Sequence, residues 1–140
     1  FRLLEPDIAS IKAACTVHDQ DVYGDDCIEI FLDVEGKRSK YYQIVANSLG
    51  ALYDGTAAGK EWNTAGTRAA ACKDKDFWTL EVFVPFSDFP EKPQVKIGSV
   101  WYGNFCRSRW GKGFELQRWS TLKRPSNLDF SAFGKLRFVE

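Results

Sequence analysis

The sequence contains no methionine, a single histidine and four cysteines that never form a C-x-x-C pair. Methionine-ligated haem and cysteine-based zinc sites therefore lack their ligands, and zinc is not expected. Long apolar runs are missing as well. Val82-Phe83-Val84-Pro85-Phe86 is among the longest, far below the ~20 residues of a membrane-spanning helix, so membrane insertion is not expected. Net charge is absent, because 19 Lys+Arg balance 19 Asp+Glu. No long-range field draws in a phosphate backbone, and nucleic-acid binding would need a local patch. The candidate patch is Arg107, Arg109, Lys112 and Arg118. The chain opens at Phe1, as a mature product or an excised domain would, which leaves its compartment open.

What is present is a core. Of the 140 residues 44% are apolar, with 11 Phe and 5 Trp, and one domain of that length buries about two-thirds of its unfolded surface. The apolar residues fall into short stretches rich in β-branched, aromatic or small side chains: 11–17, 27–33, 41–47, 67–72, 78–85, 100–108 and 135–139. Turn chemistry separates them, as in Glu35-Gly36, Leu49-Gly50, Asp54-Gly55, Pro90-Glu91-Lys92-Pro93 and Gly111-Lys112-Gly113. No window of helical length carries a 3.6-residue apolar period. The pattern predicts an all-β, two-sheet antiparallel β-sandwich of jelly-roll type, with one short helical turn at 87–89, in a single domain over 1–140.

The segment Cys27-Ile28-Glu29-Ile30-Phe31-Leu32-Asp33 alternates most clearly. Ile28, Ile30 and Leu32 share one face and are expected in the core, together with Trp78, Leu80 and Val82. Cys27, Glu29, Phe31 and Asp33 share the other face. A carboxylate among apolar groups there fits a concave surface that meets a ligand, or an ordinary solvated face with a cross-strand ion pair. The cysteines permit two disulfides or buried free thiols.

Catalysis finds little support. His18 has no serine or cysteine partner motif, and Phe31 interrupts the carboxylate alternation that a sandwich glycosidase needs across ~5–9.5 Å. Acidic residues crowd the stretch that includes Asp19, Asp21, Asp25 and Asp26. Such hard oxygen ligands suit calcium, although the spacing is not the twelve-residue calcium loop, and a solvated acidic turn has the same composition. Tyr23, Trp62 and Trp110 lie outside the apolar runs, where exposed rings can stack on sugar C–H faces while nearby polar groups fix orientation.

Segment order and spacing complete the reading. Val17-His18-Asp19 is followed by Tyr23-Gly24-Asp25-Asp26-Cys27-Ile28-Glu29-Ile30-Phe31-Leu32-Asp33, then by Tyr41-Tyr42-Gln43 leading to Asn47. Trp78 to Phe86, Gly103-Asn104-Phe105-Cys106-Arg107, Trp119-Ser120 and Phe133-Gly134-Lys135-Leu136-Arg137-Phe138 follow in order. Across nearly its whole length the chain resembles the family 9 carbohydrate-binding modules. The resemblance implies a sandwich that binds an oligosaccharide or polysaccharide without cleaving it. It also implies structural calcium, an extracellular or cell-surface location in bacteria, and a neighbouring catalytic domain.

Carried over residue by residue, the resemblance gives Tyr23 as the stacking ring and Glu29 and Asn47 as hydrogen-bonding groups. Asn104, Arg107 and Trp110 are expected to extend the site, and from the crowding of acids Asp19, Asp25 and Asp26 are expected to hold the calcium. Val45 stands where the family often has Arg, Cys106 stands at a polar, ligand-facing position, which implies that it shares the face of Cys27, and Asn127 stands where a second stacking Trp is expected. Trp110 or Trp62 would replace that ring. Family members also carry some tens of residues ahead of the Phe1 equivalent. A sugar-blind interaction domain is the alternative that these substitutions support.

Overall fold

The computed structural model describes residues 1–121 and 129–140; position 127, where a second stacking ring is expected, lies outside them. The chain forms β1 (Arg2–Leu4), β2 (Cys27–Asp33), β3 (Tyr42–Asn47), β4 (Leu52–Thr56), β5 (Arg68–Lys73), β6 (Phe77–Phe83), β7 (Val100–Arg109), β8 (Glu115–Arg118) and β9 (Gly134–Arg137). A small sheet has the order β1-β6-β5, and a large one runs β4-β3-β2-β7-β8 with β9 also on β7. All pairings are antiparallel. The fold is the expected β-sandwich. Its helical content among the described residues is confined to 3-10 turns, one of them at Phe86–Asp88 beside the expected position. No described helix is long and apolar enough to cross a membrane.

One expected strand is not one. Residues 11–17 have strand-like composition, but their backbone N–H groups go to side chains instead of a neighbouring strand. Lys12 N–H donates to Asp26 Oδ2, Ala14 and Cys15 N–H donate to the two oxygens of Asp25, and Thr16 and Val17 N–H donate to Gln20 Oε1. Buried N–H groups need a partner of some kind, and here a carboxylate takes the place of a ladder. Conversely β1, β4 and β8 were not expected; each is only three to five residues long, too short to establish a period.

The inner face of the large sheet carries Ile28 and Ile30, with Tyr42, Ile44 and Ala46 from β3. It packs on Leu3, Trp78 and Leu80 of the small sheet, joined by Trp62, Phe89 and Trp101. Leu32 and Val82 flank this core. Each fully buried side chain of this kind contributes roughly 1.5–3 kcal/mol. Trp62 is therefore core, stacked on Phe89 at 5.4 Å with its indole N–H donating to Asp88 O. It is not an exposed ring.

Strand β7 is long enough to take two neighbours on one edge: β9 pairs with Val100–Gly103 and β8 with Cys106–Arg109. Asn104 marks the seam between them. Buried, it accepts from Ser120 N–H at 2.8 Å and donates to Ser120 O. Gly134 is required at the same seam, since a Cβ there would stand 2.3 Å from the Trp119 ring.

Candidate functional site

Register across the large sheet sorts every candidate by face. Directly opposed residues share a face, so Cys27, Glu29, Phe31 and Asp33 lie with Ser108, Cys106, Asn104 and Tyr102 of β7 and with Asn47, Val45 and Gln43 of β3. Tyr53 and Arg118 extend the Glu29 row on the outer strands. Cys27 and Cys106 share this outer face as expected, and all four cysteines are free thiols. Arg107 does not share it. It opposes Ile28, so it points to the inner side, where its guanidinium donates to Leu4 O and to Glu5 Oε2.

Glu5, only 1% exposed, also receives a two-pronged contact from Arg109, Nε to Oε2 and Nη2 to Oε1, both at 2.6 Å. Burial works against its charge, but the bond to Arg109 and the nearby guanidiniums hold its carboxyl below the usual range. Arg109 also meets Glu115, and Lys112 meets Asp7. The basic candidates Arg107, Arg109 and Lys112 are thus engaged by acids.

The outer face is closed at both ends. At one end the 3-10 turn Val22–Gly24 lowers Val22 onto Cys27, Val45, Ala51 and Tyr53. At the other, Phe130 and Phe133 cover Phe31 and Tyr41. That second cover is held by Arg38, which lies over the Tyr102 ring and donates to Ser131 O. Between the covers Glu29 is 7% exposed. It accepts from Gln43 Nε2 and from Ser108 Oγ, each at 3.0 Å. Gln43 and Ser108 escaped the sequence reading, although their period-2 placement beside Glu29 follows once the register is known.

Asn47 and Asp25 form the fastening of the first cover. The Asn47 amide donates to Cys15 O and Asp25 Oδ2, and its oxygen accepts from Leu49 and Ala51 N–H. Its four hydrogen-bonding positions are all used by the protein, and it is fully buried. Burial tends to raise the Asp25 pKa, yet the N–H groups of Ala14 and Cys15 and the Asn47 amide bring it below the ordinary carboxylate value. Asn47 and Asn104, both fully buried, are therefore structural, and neither side chain reaches the surface where a sugar would bind.

Two expected residues do come together at the surface. Trp110 Nε1–H donates to Tyr23 O at 3.1 Å, so the ring that follows β7 is pinned to the turn that carries Tyr23. Tyr23 is 44% and Trp110 38% exposed. Phe114 joins Trp110 at 4.4 Å between centroids, Lys12 lies over the indole, and Tyr23 packs edge-on against Tyr53. Because Tyr53 shares a row with Glu29, this aromatic rim borders the polar centre of the outer face.

The acidic residues do not gather as a calcium set. Both Asp25 oxygens face N–H donors, the wrong dipole for a cation, and Asp26 Oδ2 is taken by Lys12 N–H. Asp19 instead stands with His18 and Asp54. Of the outer-face thiols, Cys27 is pushed well up by burial and then by the Glu29 charge, and Cys106 is pushed up to about 12 for the same reasons. Neither supplies a thiolate near neutral pH.

No family model matches the chain, and no curated protein matches it. Among solved structures it resembles a Bacteroides uniformis ATCC 8492 protein whose name gives it a provisional carbohydrate-binding role. The likeness has a TM-score of 0.73 over 91% of this chain and 67% of that one, at 22% identity. At that identity the shared property is the fold.

Proposed function

We propose that the protein is a non-catalytic carbohydrate-binding module of the family 9 type whose site is the aromatic rim of Tyr23 and Trp110. The observation that carries this reading is the Trp110–Tyr23 hydrogen bond. It ties the exposed Trp110 ring to the turn that carries the exposed Tyr23, on elements that are themselves fastened to the sheet. Pre-set rings lose little entropy on binding, and a sugar C–H face gains contact area from them. Glu29 lies buried at the border of the rim with its carboxylate held by Gln43 and Ser108, so the exposed rings carry the contact. The likeness to a protein named for carbohydrate binding supports the same reading.

Such a module acts outside the cell or on its surface, beside a catalytic domain that cuts the polymer. Binding is expected to be weak, about micromolar to millimolar, or about −8 to −4 kcal/mol. An immobilised glycan array tests it, with Tyr23→Ala and Trp110→Ala as controls. Retention of at least one glycan class by the wild type, lost in both variants, supports the site. No retained glycan transfers the rim to the second reading, a sugar-blind interaction surface, which the complete engagement of Asn47 and the burial of the Glu29 row favour.

A further inference from the structure

At the β4 edge of the inner face, beyond the reach of the small sheet, Asp54 is 0% exposed. Its Oδ2 accepts from the Thr64 hydroxyl at 2.5 Å and from Thr64 N–H, and it stands 3.2 Å from His18 Nε2. Its Oδ1 is buried without any hydrogen-bond partner, and so is Asp19 Oδ1. Asp19 Oδ1 is itself 3.8 Å from His18 Nε2. One ligand atom each from His18, Asp19 and Asp54 can be chosen so that all lie within 4.8 Å of one another. The loop is held in place by Asp19 N–H, which donates to Leu52 O, two residues before Asp54 on β4. Lys60, the ammonium at this corner, donates to the Asp19 carbonyl oxygen.

We propose that His18, Asp19 and Asp54 bind a borderline first-row divalent cation such as zinc. A His18–Asp54 hydrogen bond alone would leave two carboxylate oxygens buried and unsatisfied, which costs more for a charged group than for a neutral one. A cation held by His18 Nε2, Asp19 Oδ1 and the Asp54 carboxylate would supply these oxygens with the counter-charge they lack. The separations suit it: ligands at ~2.0–2.2 Å from a tetrahedral ion stand ~3.3 Å apart, against the 3.2 and 3.8 Å observed. An imidazole nitrogen in the set favours zinc, nickel or copper over calcium, which takes oxygen ligands. A cavity of about 260 Å³ lined by His18, Leu52, Thr16, Thr64 and Thr67 adjoins the group and gives room for a bound water as fourth ligand. The site is independent of the sugar reading.

Because His18 is the sole histidine, its ring resonances report on the site alone. The experiment titrates zinc into chelator-treated protein carrying Cys15→Ser and Cys72→Ser, which removes the two thiols that are not buried. Ring ¹H–¹⁵N spectra, calorimetry and the thermal midpoint are recorded. The expected result is one equivalent of zinc, a shift of the His18 ring signals and a higher midpoint, with no response to calcium at the same concentration. His18→Ala is expected to weaken binding by about 100-fold or more, since even outer-shell changes cost about 10–100-fold. Asp54→Asn should act in the same direction. If that variant unfolds, the half-exposed His18 still decides the matter. Unmoved ring signals under saturating zinc, equal affinity in His18→Ala, or an equal response to calcium would each overturn the proposal.

Discussion

The two faces of the large sheet solve burial in opposite ways. The inner face is apolar where it closes against the second sheet, so its stability there is spread over many interchangeable contacts, and its charged groups, Arg107 with Glu5 and Asp54, stand at its borders. The outer face buries Glu29, Asp33 and Asn47 among apolar groups, with Asp25 folded down onto it, and each is matched to named donors. Asp33, for example, accepts from the N–H groups of Glu35, Gly36 and Arg38. The contrast separates architecture from function. A polar side chain whose valences are filled by the protein holds a loop in place, and the proposed recognition falls to the rim, where rings remain exposed. Where the inner face runs out at Asp54, a carboxylate oxygen is left unfilled, and that corner becomes a place for a cation.

The largest effect expected on this contrast is at the inner face. Trp78→Ala should lower unfolding free energy by about 3–5 kcal/mol, read as a drop in urea midpoint. A smaller loss than at Asp25 would reverse the comparison. Asp25→Ala strands the Ala14 and Cys15 N–H groups and one Asn47 N–H, and a loss of about 3 kcal/mol is expected from unsatisfied donors. A change below about 0.5 kcal/mol, the range of ordinary surface substitutions, would mean that the first cover is fastened by something else.

Acid titration sharpens the same contrast. Asp25 and Glu5 both have folded-state pKa values below the ordinary ones. Their stabilisation is therefore fully present above the unfolded values of about 3.9 and 4.3. It is lost as pH falls through the lower folded values, because the unfolded state then binds more protons. Wild type should lose stability steeply below about pH 4 in equilibrium unfolding, and Asp25→Ala should show a shallower slope. Equal slopes would show that Asp25 is not ionised in its network.

Much of the fold was legible in the sequence because period-2 alternation depends only on local residues. Ile28, Ile30 and Leu32 were assigned to the core from that alone. The same rule could have removed Arg107 from the site, since it follows Cys106 directly and adjacent residues in a strand face opposite sides. What local pattern could not show were long-range partners. Residues 11–17 read as a strand because nothing local reveals that their N–H groups meet Asp25 and Asp26. The resemblance offered Asn47 as a sugar ligand, and local pattern did not correct it, because two of its four partners, Cys15 and Asp25, lie on other segments of the chain. Trp62 looked exposed because its polar neighbours conceal its packing on Phe89. His18 looked isolated because Asp54 is 36 residues away.

The most direct test of the sugar-binding claim is calorimetric titration of the best-retained oligosaccharide into wild type, Tyr23→Ala, Trp110→Ala and Phe83→Ala. Phe83 is a comparably exposed ring on the small sheet and controls for nonspecific contact. The account predicts that each rim variant loses about tenfold or more in affinity, about 1.4 kcal/mol, while Phe83→Ala binds as wild type does. Undiminished binding in both rim variants, or equal loss in Phe83→Ala, would contradict it.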